Sequence, residues 1–227
     1  MRNPAIVLMT RVPLPGRTKT RMMEVLSGEE CAAFHTACLE DICKTVSATG
    51  ITSYLYYTGG SVEKFSKQNI ACMRSFDMRQ QGGGDLGERM YSAASRILTK
   101  HDGVIILGAD IPEIDSKLLV DALKQLDGCD VVIGPSFDGG YYLIGLKKAY
   151  RNIFNGIPWG SPFVMETTLL EVERSGLSCG LLTPMTDIDT WDDLVDFYHR
   201  GLRQEEKTLE KLSAYRNCET LIKKYGD

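Results

Sequence analysis

The chain has 227 residues, 43% of them hydrophobic and 25% charged, which is enough for one substantial α/β domain and too little for two. Its net charge of −4 argues against a nucleic-acid or anionic-membrane surface, since either partner needs a broad positive field. Seven cysteines without a Cys-x-x-Cys pair or a Cys/His ligand spacing indicate reduced thiols rather than disulfides or zinc.

No segment is apolar for long enough to form a secretion signal or a membrane span, and residues 1–4 lead directly into a strand-like run. We therefore expect a cytoplasmic protein with a single domain over residues 1–227. From about residue 190 onwards, helical spacing combines with high charge, which predicts terminal helices packed outside the sheet.

Short apolar runs alternate along the chain with amphipathic segments. The apolar runs predict strands over 5–9, 52–57, 103–107, 131–134 and 142–145. The amphipathic segments predict helices over 28–48, 86–100, 116–127 and 161–175. The first of these helices should begin with a capping box formed by Ser27 and Glu30, and should bury Cys31, Cys38 and Cys43.

The alternation of predicted strands and helices is typical of βαβ units. Residues 104–107 and 131–133 are apolar at consecutive positions, as expected for strands that are covered on both faces. The sequence therefore predicts a three-layer α/β/α fold with a mostly parallel, Rossmann-like sheet. In such a sheet, ligands bind beyond the carboxyl ends of the strands.

The segment after the first predicted strand combines a Pro/Gly turn with positive charge. Gly16 allows close backbone approach, and a helix beginning near Thr18 would direct free N–H groups towards an anion. The cations of this segment are Arg11, Arg17, Lys19 and Arg21. The segment predicts a phosphate-binding loop without a Walker pattern, and a solvated basic turn is the alternative.

Acidic residues follow later strands. Asp110 comes directly after the strand over 103–107, where a carboxylate suits Mg²⁺, although it could also be a loop or cap aspartate. A second acidic turn offers Asp187 and Asp189 at alternate positions before a predicted helix, which Asp189 or Thr190 could cap. Metal binding and capping are compatible at this turn.

Two glycine-rich segments could approach a ligand. Residues 80–90 could let a flat base lie against bare backbone beside the Gln81 amide, or could be a flexible connection. Residues 138–140, Asp-Gly-Gly, could face a ligand or form a tight hairpin turn. His35, His101 and His199 have no spacing suited to a metal or a catalytic triad, and no Gly-x-Ser-x-Gly elbow is present, so Ser or Cys hydrolase mechanisms have little support.

Five segments in order resemble the DUF2064 family of uncharacterised proteins: 13–21, 84–90, 108–112, 134–145 and 187–190. That family is assigned to the nucleotide-diphospho-sugar transferase superfamily, which implies a GT-A-like fold, and its members are often described as glycosyltransferases. The first loop is also similar to that of an archaeal guanylyltransferase that activates phospholactate, a relative in the same superfamily.

The resemblance implies a Mg²⁺- or Mn²⁺-dependent transferase, in which Lys19 and Arg21 grip a triphosphate and Asp110 and Asp189 hold the metal. Lys19, Arg21 and Asp110 would be the catalytic residues. The expected nucleotide contacts are Arg11, Gly16, Arg17, Lys19, Arg21, Gln81, Gly84 and Asp85. The expected acceptor contacts are Asp138, Gly139, Gly140 and Tyr141.

The expected activity is transfer of a nucleotide from a nucleoside triphosphate to a small phosphorylated or hydroxyl acceptor. A glycosyltransferase that uses a nucleotide sugar is the first alternative. A non-catalytic nucleotide-binding protein is the second, because a fold does not establish an activity.

Overall fold

Alternate residues of the central strand β1 (Pro4–Arg11) face two separate cores in the computed structural model, which describes residues 1–68, 70–203 and 209–226. Ile6 and Leu8 pack on one face of the sheet, and Ala5 and Val7 on the other. Strand β4 (Gly103–Leu107) divides its side chains between the same two cores. The sheet is therefore buried on both faces, as the consecutive apolar positions predicted.

Seven strands form one sheet in the described ranges, in the order β3-β2-β1-β4-β6-β5-β7. The remaining strands are β2 (Thr52–Thr58), β3 (Asp77–Gln80), β5 (Val131–Pro135), β6 (Tyr141–Leu146) and β7 (Cys179–Leu181). Strand β6 is antiparallel to both of its neighbours, and the other pairs are parallel. All five predicted strands are present. Sequence patterning missed β3 and β7, because these short edge strands carry no apolar run.

The helices lie where the amphipathic pattern predicted them, with the addition of a short helix, α2. They are α1 (Gly28–Ala48), α2 (Val62–Ser66), α3 (Leu86–Ile97), α4 (Ser116–Gly128), α5 (Val164–Arg174), α6 (Trp191–Leu202) and α7 (Ser213–Tyr225). Helices α1 and α4 cover one face of the sheet, and α3 and α5 cover the other. Ser27 and Glu30 form the predicted capping box of α1.

The terminal helices α6 and α7 pack on α1, outside the sheet, as predicted. Phe34 and Cys38 of α1 meet Phe197 of α6 and Tyr215 of α7 in a third core. Asp41 accepts hydrogen bonds from the backbone N–H groups of Ser213 (2.9 Å) and Ala214 (2.8 Å), which fixes the start of α7. Cys31, Cys38 and Cys43 are buried, as expected of core residues.

The described helices include none that combines the length and the apolar character needed to cross a membrane.

Candidate active site

The side chain of Lys19 lies between two carboxylates at the carboxyl edge of the sheet. Its Nζ donates hydrogen bonds to Oδ1 of Asp110 (2.5 Å), to Oδ1 of Asp189 (2.8 Å) and to the backbone oxygen of Ile188 (2.6 Å). Only 3% of the Lys19 side chain is exposed, whereas the two carboxylates are 44% and 38% exposed. The structure thus brings three of the predicted site residues to one point, with the carboxylates facing outwards.

The backbone at Lys19 is shaped for this contact. Its φ of 50° and ψ of 40° lie in the left-handed region, and it is the one non-glycine residue with positive φ in the described part of the chain. That conformation costs about 1–2 kcal/mol for a residue with a Cβ, and such strain is concentrated at functional sites. The helix predicted to begin near Thr18 is wrong, because this turn delays the start and leaves a short 3-10 helix over Thr20–Glu24.

The ion pair between Lys19 and Asp110 favours the charged form of both groups. Burial opposes the charge on Lys19, but Asp110 and Asp189 outweigh it, so the pKa of Lys19 is raised. Burial likewise opposes ionisation of Asp110, but the attraction of Lys19 outweighs it and leaves the pKa of Asp110 below its usual value. One buried cation is therefore shared by two carboxylates from distant parts of the chain, and one negative charge remains in excess.

Two adjoining cavities meet at this ion pair. The first, here named the basic cavity, has a volume of about 420 Å³; it is lined by the charged residues Arg11, Lys19 and Arg89 and also by Thr18, His35 and Gln81. The second, here named the acidic cavity, has a volume of about 540 Å³ and is lined by Asp138, Asp187, Tyr141, Trp159 and Arg21. Asp110 and Asp189 line both cavities. Both volumes are typical of small-molecule sites.

Gln81 is fixed by backbone at the wall of the basic cavity. Its Nε2 donates to the backbone oxygens of Thr10 (3.1 Å) and Tyr56 (2.9 Å), at the ends of β1 and β2. The amide nitrogen is therefore committed, and the side-chain oxygen is the group that Gln81 can offer to a ligand.

Two buried polar atoms of the basic cavity have no hydrogen-bond partner among the described residues: Thr18 Oγ1 and His35 Nδ1. His35 Nε2 lies 3.1 Å from Thr10 Oγ1 and 3.3 Å from the Arg11 oxygen. Burial lowers the pKa of His35, although Asp110 opposes that effect, so the ring is neutral near pH 7. Unpaired buried groups are costly, so a ligand that supplied partners to these two atoms would remove that cost.

Arg89 was missed by sequence analysis. It lies in the first turns of α3, and its Nε and Nη2 donate to the Gly84 oxygen at 3.0 and 2.8 Å, which holds the guanidinium at the basic cavity. The sequence did contain a signal for Arg89: it lies one turn after Asp85, the residue that caps α3. Anions bind favourably at the first turn of a helix, so a cation there indicates a candidate anion site.

Several predicted nucleotide contacts line neither cavity. Gly16, with a φ of 70°, belongs to a turn closed by the Arg17 N–H on the Leu14 oxygen at 3.0 Å. Asp85 caps α3 by accepting from the Glu88 N–H at 2.8 Å. Those outside both cavities are Gly16, Arg17, Gly84 and Asp85. Arg21 lines the acidic cavity rather than the basic one.

The Asp-Gly-Gly segment is a hairpin loop that also lines the acidic cavity. Asp138 Oδ1 accepts from Ser136 Oγ (2.5 Å) and from the Gly140 N–H (2.9 Å) between the antiparallel strands β5 and β6. Gly139 has a φ of 89°, and a Cβ there would lie 2.1 Å from the Pro162 oxygen. Gly139 is therefore structural, whereas Asp138, Gly140 and Tyr141 reach the cavity.

Asp187 also faces the acidic cavity. The sequence offered it in the same acidic turn as Asp189, but only Asp189 was assigned to the metal. Burial, followed by the charges of Asp138 and Asp189, raises the pKa of Asp187 to about 6. A raised pKa beside other carboxylates is typical of functional clefts. The sequence shows the acidic turn, but residues 136–140 are distant from it along the chain. The effect of Asp138 on the pKa of Asp187 could therefore not be predicted from sequence.

Replacing Asp187 by asparagine should make the protein more stable at pH 8 and leave its stability unchanged at pH 4. The folded pKa of about 6 exceeds the ordinary 3.8, so the native state binds more protons between these values and stability falls as pH rises through that window. We expect the melting temperature to rise by roughly 2–4 °C at pH 8, since the half-buried group is partly screened. Calorimetry of both proteins at the two pH values checks this. An equal difference at both would contradict it.

The donor set at the junction of the cavities fits a hard divalent cation. The Lys19 ammonium occupies a point that Oδ1 of Asp110 and Oδ1 of Asp189 both reach. No group of three or more His, Cys, Asp or Glu side chains in the described ranges is arranged to hold a metal by itself. Mg²⁺ is usually held by one or two carboxylates, with phosphate and water completing the shell, so two carboxylates suffice when a nucleotide supplies the rest.

The chain belongs to the DUF2064 family, described as "Uncharacterized protein conserved in bacteria", whose model matches residues 39–161. This finding confirms the resemblance seen in the sequence.

Two known proteins are similar to this chain over most of its length. The 2-phospho-L-lactate guanylyltransferase of Methanoregula boonei is 28% identical over 204 residues, which cover 87% of this chain and 85% of that protein. A candidate nucleotide-diphospho-sugar transferase from Desulfovibrio desulfuricans G20 superposes with a TM-score of 0.88 at 30% identity, covering 98% of this chain and 97% of that one.

A more distant structure, Rv0371c from Mycobacterium tuberculosis H37Rv in complex with manganese, superposes with a TM-score of 0.53 at 14% identity, covering 86% and 97% of the two chains. This similarity concerns the fold alone. Together with the sheet order, the structural matches confirm the predicted nucleotide-diphospho-sugar transferase fold.

Proposed function

We propose that this protein is a metal-dependent nucleotidyltransferase that binds a nucleoside triphosphate in the basic cavity and a small acceptor in the acidic cavity. The observation that carries the proposal is the pair Asp110 and Asp189, which share one cation position where the two cavities meet. The guanylyltransferase relative supports the same reaction class.

In this proposal the acceptor attacks the α-phosphorus in line, the bond from that phosphorus to the bridging oxygen breaks, and pyrophosphate leaves. Positioning and charge stabilisation supply most of the catalysis in such a reaction. Mg²⁺ or Mn²⁺ held by Asp110 and Asp189 would neutralise phosphate oxygens. With Asp110 and Asp189 holding the metal, Lys19 at the same junction would donate a hydrogen bond to a phosphate oxygen.

The remaining residues of the basic cavity have matching roles. Arg11 and Arg89 place two permanent charges beside the phosphates. Thr18 Oγ1 and His35 Nδ1 would gain the partners that they lack. The fixed oxygen of Gln81 would accept a hydrogen bond from an amino group of the base. Gly84 and Asp85 act indirectly, through the carbonyl that holds Arg89 and through the start of α3.

A thermal-shift screen of nucleoside triphosphates and nucleotide sugars, with and without Mg²⁺, tests the proposal together with a pyrophosphate-release assay. A ligand at 100 times its dissociation constant stabilises by about 2.7 kcal/mol. We expect Mg²⁺-dependent stabilisation by a triphosphate and release of pyrophosphate. Release of a nucleoside diphosphate from a nucleotide sugar would favour glycosyl transfer, which the similarity to the Desulfovibrio protein supports as the second candidate. Binding without turnover would indicate a non-catalytic protein.

Replacing Arg11 by methionine should weaken triphosphate binding about tenfold, because a hydrogen bond to a charged group contributes about 1.5–3 kcal/mol. The matched control is Arg17→Met, which removes a charge from the same loop but outside both cavities. Titration calorimetry at fixed salt measures both. If Arg17→Met causes an equal loss, the loop is only a general anion attractor.

A further inference from the structure

The two cavities differ in charge, and the difference is greatest away from the shared ion pair. Lys19 already pairs with Asp110 and Asp189. Apart from these three groups, the charged residues that line the basic cavity are Arg11 and Arg89. Those that line the acidic cavity are two carboxylates, Asp138 and Asp187, and one cation, Arg21. One side of the junction is suited to phosphates, and the other is not.

In the part of the chain that the structure describes, the two carboxylates found only in the acidic cavity, Asp138 and Asp187, form no ion pair. Asp138 accepts hydrogen bonds from Ser136 Oγ and the Gly140 N–H, which carry no charge. Within the described ranges, neither Asp138 nor Asp187 lies within 4.0 Å of a cationic group. An anion entering this cavity would meet two like charges, whereas a cation would meet two partners.

Two aromatic side chains in the wall of the acidic cavity also favour a cationic ligand. Trp159 and Tyr141 line it and contact each other edge to face, with ring centroids 6.2 Å apart and an interplanar angle of 80°. Aromatic faces attract ammonium groups through their quadrupole, and they do so more strongly where water is displaced. Carboxylates and aromatic rings together form a recognised pattern for organic cations.

We propose that the acceptor is a small hydroxyl compound that carries a positive charge, such as an amino alcohol, and not a phosphorylated or carboxylated anion. This inference rests on the proposed nucleotidyl transfer. The acceptor hydroxyl oxygen forms a bond to the α-phosphorus, pyrophosphate departs with the electron pair of the broken P–O bond, and the hydroxyl proton passes to water. The preference differs from that of the guanylyltransferase relative, whose name specifies a phosphorylated acid.

Trp159 provides a direct reporter of the acidic cavity, since the chain has two tryptophans and the other is Trp191. Trp191, at the start of α6, packs against Tyr225 and lines neither cavity. In a Trp191→Phe background, the emission of Trp159 is followed at pH 8 with Mg²⁺ and a non-hydrolysable triphosphate analogue. The probes share a carbon skeleton: 3-amino-1-propanol, 1,3-propanediol and 3-hydroxypropanoate.

We expect the amino alcohol to bind at least about tenfold more tightly than the hydroxy acid, with the diol between them. The double variant Asp138→Asn with Asp187→Asn should abolish this order, while calorimetry should still detect Mg²⁺-dependent binding of the triphosphate analogue. Asn at 138 keeps the oxygen that closes the hairpin, so the fold should persist, and the melting temperature checks it. Asp192→Asn, a change on α6 outside both cavities, is the matched control and should retain the order.

Pyrophosphate release with the same three probes separates the two proposals. Turnover with the amino alcohol and not with the hydroxy acid supports the inference. Turnover only with the anion, or an unchanged preference in the double variant, overturns it while nucleotidyl transfer stands. Failure of the triphosphate to bind with Mg²⁺ would instead remove the proposed function itself.

Discussion

Asp110→Asn is expected to abolish metal-dependent nucleotide binding and to lower the rate of pyrophosphate release by at least about 10³-fold. The change keeps the size and the oxygen of the side chain but removes half of the charge that would hold Mg²⁺. Losing a single preorganised electrostatic group commonly costs about 10²–10³ in rate, and here the metal is lost with it. Calorimetry with a triphosphate, with and without Mg²⁺, measures the binding.

The fold should survive this change. Lys19 retains Asp189 at 2.8 Å and the Ile188 oxygen at 2.6 Å, and asparagine still offers an oxygen to the ammonium. The matched control is Asp121→Asn on α4, where an exposed carboxylate outside both cavities pairs with Lys124 at 3.1 Å. Equal Mg²⁺-dependent binding by Asp110→Asn and the control would show that Asp110 is not a metal ligand.

Lys19→Met should produce the opposite behaviour towards metal: the variant should bind Mn²⁺ or Mg²⁺ without nucleotide, whereas the parent should not. In the parent the ammonium already occupies the point shared by Asp110 and Asp189. Without it, two carboxylates face each other with no counter-charge, and a divalent cation relieves the repulsion. We expect a loss of roughly 1–3 kcal/mol in stability, less than for a fully buried pair because the carboxylates are partly exposed.

Addition of Mn²⁺ should restore most of the melting temperature lost by Lys19→Met. Lys124→Met, which removes an exposed lysine that pairs with Asp121, controls for the loss of one charge. Calorimetric titration with Mn²⁺ in the absence of nucleotide gives the affinity directly. If Lys19→Met gains no metal binding over the parent, the ammonium and the metal do not compete for one position.

The fold followed from local patterns, and most of it could be predicted. Consecutive apolar residues in β1 and β4 indicated a sheet covered on both faces, and the Ser27–Glu30 spacing located the start of α1. The elements that escaped were short: β3, β7 and α2 span four, three and five residues, too few to show a period. Their formation depends on pairing and packing with the elements beside them.

The site was only partly predictable. The order of motifs identified Lys19, Asp110 and Asp189 as residues of one edge, because strand ends in a parallel sheet converge. It did not indicate that Lys19 would be buried between the two carboxylates, since the partners lie 91 and 170 positions away along the chain. Arg89 escaped for the same reason, because its place at the basic cavity is set by the fold and not by its neighbours in sequence.

The sequence by itself determined the class of fold, the family and the loops that carry chemistry, because hydrophobic period and turn residues act over a few positions. Only the tertiary structure decided which of those loops meet. Asp85 became a helix cap, the Asp-Gly-Gly segment became both a hairpin and a cavity wall, and the left-handed turn at Lys19 aimed its ammonium inwards. The charge of each cavity is a sum over residues that folding brings together, so it exists only in the folded chain.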